Sequence, residues 1–414
     1  MIKALLLDSG STIKLKYTSD APHLIYLRDI SGSGYYNCGY GCQWYDYDPG
    51  CLPCSPLNIT KVILTSSEAQ FSGAISNGKI FEWGYNDTGQ LGDNSLTNRC
   101  TPISIGGNNK TFCAISSGRR NILGLEKNGQ LWGWGYNLFG QLGNNTTNNK
   151  CTPVSILGAK KTFVAIAAGY SNTGSIDKNG QVWCWGNNNN GQLGNNTTDD
   201  KCTPISIQGV KKTFCVITVG LATTASIDKN GQMWCWGYNI YGQLGNNSTV
   251  SRCTPISILG AKKTFCQVKS VTSNFISLDK NGQIWGWGRN DYGQLGDNSI
   301  QDKCTPVSIQ GTKRTFCKID AGSTHTLAID KTGRIWTWGS NTYGELGNNS
   351  TTLKCTPVSI LGSNKTFCNI AGGYYYSLAI DKNGHVWGWG YNKYGQLGDN
   401  SVICRLTPIR VCNF

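Results

Sequence analysis

The sequence predicts an all-β fold, a seven-bladed β-propeller of four-stranded antiparallel blades. A ten-residue phrase, WGYNLFGQLG from Trp134, recurs with little change at Trp83, Trp185, Trp236, Trp287, Trp338 and Trp389, each copy 51 residues after the last. Self-similarity at such a period is the signature of a propeller or solenoid built from one repeated supersecondary unit. Each unit also reads as four short β-like segments divided by turn residues, and helical periodicity appears nowhere. Abundant glycine (53 residues) and scarce charge (14%) suit many short strands joined by tight turns.

Length alone suggests two or three domains for 414 residues, but the array unites residues 58–414. Residues 1–57 form an N-terminal extension. Its LLLDSGSTIKLKY, from Leu5, echoes LAIDKNGHVWGWG from Leu378, so Asp8-Ser9-Gly10 marks a degenerate hairpin. A cysteine- and tyrosine-rich insert without period follows, GYYNCGYGCQWYDYDPGCLPC.

One unit shows the logic of the array. FVAIAAG, from Phe163, is a small-residue strand, innermost by this reading. TGSIDKNGQVWCWG, from Thr173, is a hairpin turning at Asn179-Gly180, since Asn-Gly between β-like segments is a strong hairpin signal. The NNNNGQLGNN loop leads to CTPISI, from Cys202, where Pro204 suits an edge strand. Trp183 and Trp185 stand two apart and share a face. Between them Cys184 is matched by Gly133, Cys235, Gly286, Thr337 and Gly388 in other units. Large on one face and small on the other lets neighbouring blades interdigitate. Each Trp buries roughly 150–250 Å², so both are expected in the core, with Cys184 and Cys235 as small core residues. Leu142 and its repeats are expected to plug blade edges, and the Asn pairs to form turns.

The pattern AG…HTLAID…GRIWTWGxNxxGxLG, spanning Ala321–Gly347, closely resembles the repeat of the regulator of chromosome condensation. The resemblance extends over residues 58–414 in seven successive units. It implies a seven-bladed propeller acting as an interaction platform. Some members exchange nucleotide on a small GTPase and bind chromatin; others bind inhibitors, enzymes or DNA. Exchange in the family depends on a specialised loop projecting from one blade. The unbroken period leaves no insertion between Trp83 and Gly398 to supply it, and the family's histidine in the first inter-strand turn is found only as His325. Guanine nucleotide exchange therefore ranks last among the functions considered.

Binding residues are sought in the charge. The formal net charge of +14 favours acidic partners. The blade-to-blade linkers, typified by GAKKT, supply Lys110, Lys160, Lys161, Lys211, Lys212, Lys262, Lys263, Lys313, Arg314 and Lys365. Together with the nearly neutral DKNG turns they are expected on one face, as a basic annulus suited to phosphate contacts from a nucleic acid or to an acidic protein surface. No aromatic residue is interleaved in the linkers, which disfavours single-strand stacking. DNA binding and protein–protein interaction are the expected activities; a solvated rim is the bland alternative.

The 19 cysteines support a rival function, a structural protein that self-assembles into homo-oligomers. Cys38, Cys42, Cys51 and Cys54 read C-x3-C-x8-C-x2-C, which fits a zinc site with a short spacer, two disulfides, or thiols used in assembly. Elsewhere Cys100, Cys151, Cys202, Cys253, Cys304 and Cys355 precede Thr-Pro, and Cys113, Cys215, Cys266, Cys317 and Cys368 open the next inner strand. A hairpin between those strands would let them bridge. Blade phasing like the family's would instead separate them, leaving rim thiols for contacts between molecules. No enzyme is expected: LLLDSGST lacks the second carboxylate an aspartic protease needs, and no Walker loop, GxSxG elbow or HExxH helix occurs. No apolar stretch nears the ~18–20 residues of a membrane span and no signal peptide is evident, so an intracellular protein without cofactor, zinc aside, is the expectation.

Overall fold

The computed structural model describes residues 62–65, 70–105, 110–157, 161–259, 263–270, 272–361 and 365–412. The N-terminal hairpin at Asp8 and the cluster Cys38, Cys42, Cys51 and Cys54 lie outside them. The described residues form seven four-stranded sheets, each a run of consecutive antiparallel strands, and contain no helix. The blades comprise residues 62–104, 112–155, 163–206, 214–257, 265–308, 316–359 and 367–410. In the third blade the strands are Phe163–Ala168, Asn172–Asp177, Val182–Gly186 and Lys201–Ser206, in spatial as in chain order. First strands touch first strands around the whole circle, so the small-residue strand is innermost and the Thr-Pro strand is outermost.

Local chemistry explains each turn. Asp177 Oδ1 accepts from Asn179 N at 2.9 Å and Gln181 N at 3.0 Å, closing the hairpin over Gly180, whose φ is +77°. In the long loop Asn188 is fully buried. Its Oδ1 accepts from Leu193 N at 2.9 Å, while its Nδ2 donates to Asn195 Oδ1 and Thr197 O. The second residue of each Asn pair, such as Asn196 at φ 62°, takes the left-handed conformation that Asn tolerates.

The WGxN Trp locks each blade to the one before it. Trp83, Trp134, Trp185, Trp236, Trp287, Trp338 and Trp389 are all 0% exposed. Each indole N–H donates at 2.9–3.1 Å to the carbonyl of the Gln, or Glu345, in the preceding blade's GQLG loop. The Leu of that loop is buried in every blade, as expected. Cys184 faces the opposite way: it clusters with Phe214, Ile217 and Trp236 of the fourth blade, while Trp185 clusters with Leu123 and Ile166.

Ring closure uses the same seam. Trp83 of the first blade donates to Gln396 O of the seventh at 2.9 Å, and Ala74 and Trp83 share a cluster with Tyr376, Leu378 and Ile380. Residues 62–410 therefore complete seven sheets and their closure.

The outer edges carry a second latch. Asn196 N donates to Cys253 O at 2.9 Å, and the contact repeats from Asn94–Cys151 to Asn400–Cys100. Beneath it Gly191, at φ +75°, lies so close that an added Cβ would be 2.6 Å from Cys253 Cα and Sγ. Gly191→Ala should therefore destabilise the chain by about 1–2 kcal/mol, read as a lowered midpoint in denaturant.

Candidate partner-binding rim

The linkers and the hairpin turns occupy one face and staple one another in place. Phe163 N donates to Gly129 O in the preceding blade's turn at 3.1 Å, and Lys178 N donates to Thr162 O at 2.9 Å. Lys161 is thereby held with Nζ 4.0 Å from the ring centroid of Trp183. Trp183 in turn donates its indole N–H to Asp177 Oδ2 at 3.0 Å. Asp177 is buried, whereas Lys161 is exposed. This unit thus stacks a cation on an aromatic plane whose edge is anchored to a carboxylate.

Five further blades carry the cation–indole pair. Lys110 lies 4.1 Å above Trp132, Lys212 5.9 Å above Trp234 and Lys263 3.7 Å above Trp285. Arg314 lies 4.4 Å above Trp336 and Lys365 4.5 Å above Trp387. Asp228, Asp279, Asp330 and Asp381 accept from the corresponding indoles at 2.9–3.2 Å. In the second blade Glu126 stands in the Asp position, and Trp132 Nε1 has no hydrogen-bond partner among the described residues.

The electrostatics follow from this layering. Burial alone would raise the Asp330 carboxyl, but hydrogen bonds from Thr332, Trp336 and Arg334 outweigh it and hold the group below its usual range. Asp381 behaves alike, through Trp387, His385 and Asn383. These two turn carboxylates therefore stay ionised beneath the surface, while Lys178, Lys229 and Lys331 in the turns are exposed. In these turns the carboxylates lie inward and the lysines outward. Lys211 and Lys313 are exposed too, whereas Lys160 and Lys262 lie outside the described residues. Arg314, besides covering Trp336, pairs with Asp330 at 3.1 Å.

Three expectations need correction. The Trp pairs are not both core: the second is buried, but the first is only half-buried and meets the cation at the rim. The linkers lack aromatic residues in sequence yet have one in space, 22 residues on in every case. The bridging hairpin is overturned, because Cys202 lies on the outermost strand of one sheet and Cys215 on the innermost strand of the next. The rim thiols Cys100, Cys151, Cys202, Cys253, Cys304 and Cys355 are free and half-buried against the preceding blade's loop glycine.

His325 is no surface group either. It begins the strand His325–Asp330, is 1% exposed, and has Nε2 2.9 Å from Ser377 Oγ. Burial pushes its pKa down to about 3, so the ring stays neutral. Among the described residues no group of His, Cys, Asp and Glu could hold a metal ion.

Sequence reasoning missed an aromatic arc on the opposite face. Tyr85, Tyr394, Tyr391, Tyr343, Tyr375 and Tyr374 follow one another at centroid separations of 4.3–6.3 Å across the first, seventh and sixth blades. Arg120 covers one end, 5.6 Å from the Tyr85 ring and paired with Asp87 at 3.0 Å. Tyr391–Tyr394 repeats the local pairs Tyr136–Phe139 and Tyr238–Tyr241, a recurrence the sequence shows, but only ring closure brings Tyr85 beside Tyr394.

Residues 208–414 match the RCC1-like domain, and residues 77–125, 128–176 and 179–226 match the regulator of chromosome condensation (RCC1) repeat. The chain belongs to the RCC1-like family. Among its relatives, the ultraviolet-B receptor UVR8 of Arabidopsis thaliana is 28% identical, with 84% of this chain and 81% of that protein covered. The human E3 ubiquitin-protein ligase HERC2 is 26% identical over 82% of the chain, which spans only 7% of that protein. Among solved structures, human WBSCR16 superposes with a TM-score of 0.73 at 19% identity, covering 80% of this chain and 94% of that one. Prp20p of Saccharomyces cerevisiae, described as binding Gsp1p and histones, gives 0.72 at 20% identity, covering 86% and 87%. These two likenesses show the RCC1-like fold alone. No helix among the described residues is long and apolar enough to cross a membrane.

Proposed function

We propose that this RCC1-like chain is a non-enzymatic interaction platform that binds an acidic partner through the linker face. The observation that carries the reading is the layering of charge: exposed Lys161, Lys211, Lys212, Lys313, Arg314 and Lys365 stand over buried Asp177, Asp228, Asp330 and Asp381. Phosphates or clustered carboxylates would gain from such a rim without any sequence being read. That similar folds include a protein described as binding a protein partner and histones supports a platform role. Assembly through rim thiols has less support, since those cysteines already fill the seams between blades. Guanine nucleotide exchange remains last, because buried His325 offers no group to a bound partner.

Duplex DNA serves as a defined polyanion for the test. The wild-type chain should bind it with an affinity that falls steeply as salt rises. Lys161→Glu, Lys211→Glu and Lys313→Glu together should weaken binding by at least about tenfold and flatten the log–log salt dependence by about 0.9 for each phosphate no longer neutralised. Binding that ignores salt, or that survives the triple reversal unchanged, would contradict the reading.

A further inference from the structure

We infer that the occupant of the linker rim is a single-stranded nucleic acid, with the six cation–Trp units acting as successive nucleotide sites. This inference rests on the basic-rim reading and narrows it to one chemistry.

A bare cationic rim would serve any polyanion. What the rim adds is a half-buried indole under each cation, at Trp132, Trp183, Trp234, Trp285, Trp336 and Trp387. In five of the units the indole N–H is tied to a buried Asp, so the plane is fixed before anything binds. A fixed plane loses little freedom on contact, which is the advantage of preorganisation. The ammonium or guanidinium 3.7–5.9 Å away is the natural counter-ion of a phosphate. Cation and plane together match the two halves of a nucleotide: phosphate to the first, base face to the second. Non-specific single-strand binders combine these same elements, a positive track and aromatic platforms.

The rival anions use less of what is present. A duplex keeps its base faces stacked inside and would touch only the cations. An acidic peptide offers carboxylates to the cations but no π-face to set against the six indoles. The tyrosine arc on the other face is a poorer platform, because its rings pack against one another at interplanar angles of 42–64° along Tyr85–Tyr394, Tyr343–Tyr375, Tyr343–Tyr391 and Tyr374–Tyr375. Two cations there are ion-paired, Arg120 with Asp87 at 3.0 Å and Arg289 with Asp291, as Arg314 is with Asp330 on the linker rim.

The experiment compares fluorescently labelled oligothymidylate, a mixed-sequence duplex and polyglutamate as probes of the full chain. Three proteins are used: wild type, the triple variant Trp183→Leu/Trp234→Leu/Trp285→Leu, and its counterpart with Phe at the same positions. A single cooperative unfolding transition in each, with no unfolded fraction under the binding conditions, establishes that all are folded. The expected result is that oligothymidylate binds tightest, that the Leu variant binds it at least about tenfold more weakly with an unchanged salt slope, and that Phe restores most of the loss. Oligothymidylate affinity unchanged in the Leu variant, with charge reversal still weakening it, would overturn the stacking inference and leave the basic rim standing. Tighter binding of duplex or polyglutamate would overturn the assignment of the partner. Failure of all three probes to bind would overturn both readings.

Discussion

Trp236→Ala should cost the ring about 3–5 kcal/mol, the range for truncating a large core aromatic. Trp236 is fully buried and clusters with Val182, Leu193 and Phe214 at the seam between the third and fourth blades. Its N–H donates to Gln192 O at 2.9 Å, and Gly194 sits close enough that an added Cβ would lie 2.7 Å from Nε1. Removing the indole opens a cavity between two blades and strands a buried carbonyl. A loss of this size is a large share of the ~5–15 kcal/mol that holds most native proteins together. Trp234→Ala, two residues away and half-buried, should cost about 1 kcal/mol, near the centre of the range for ordinary substitutions. Parallel denaturant titrations of the two variants check the contrast. Equal losses would mean that the outer Trp is structural and would weaken its assignment to a binding rim.

Glu82→Gln should stabilise the chain at neutral pH and leave it unchanged in acid. Glu82 fills the third-strand slot that elsewhere holds Gly133, Cys184, Cys235, Gly286, Thr337 or Gly388. It fits because its cross-strand neighbour is Gly73, where other blades place Leu123, Ile276 or Leu378 opposite a glycine. Volume is conserved, but polarity is not: the side chain is 0% exposed and both oxygens lack partners among the described residues. Burial holds its pKa well above 4.5, its ordinary value. Below that value the carboxyl is protonated folded or unfolded, and no penalty arises. As pH rises above it the unfolded chain releases the proton while the folded chain keeps it. Stability then falls by about 1.4 kcal/mol per pH unit until the folded pKa is reached. Gln, which does not titrate, removes that slope. Unfolding free energies of both proteins across pH 4 to 8 test this; parallel curves would show that Glu82 finds a partner.

The repeat made the fold legible because every structural residue recurs in register. Strand order, the Asn-Gly turn, the edge position of Pro204 and the buried Leu142 set all follow from local pattern. The candidate site was only half legible. The linker cations are contiguous in sequence and easy to find, but the offset from Lys161 to Trp183 is constant for the same reason every other offset is. Periodicity cannot say which pairs touch. It also promoted Trp183 to the core on parity alone, since alternation fixes the face of a strand and not the depth along it. The partial cover of the rim thiols was not legible, because the loop glycine of the preceding blade lies some 60 residues earlier, as from Gly191 to Cys253. Part of the tyrosine arc is repeat-encoded, since Tyr391–Tyr394 repeats the pairs Tyr136–Phe139 and Tyr238–Tyr241, but Tyr374 and Tyr375 are not, and only closure joins Tyr85 to Tyr394.

The central claim is that function sits on the linker face and not on the long-loop face. Hydrogen–deuterium exchange of the chain with and without oligothymidylate tests it most directly. Protection should appear in residues 161–163, 211–214, 263–265 and 313–316 and in the neighbouring turns at 178–181 and 229–232. Protection confined instead to the tyrosine-bearing loops, around residues 374–375 and 391–395, would contradict the account.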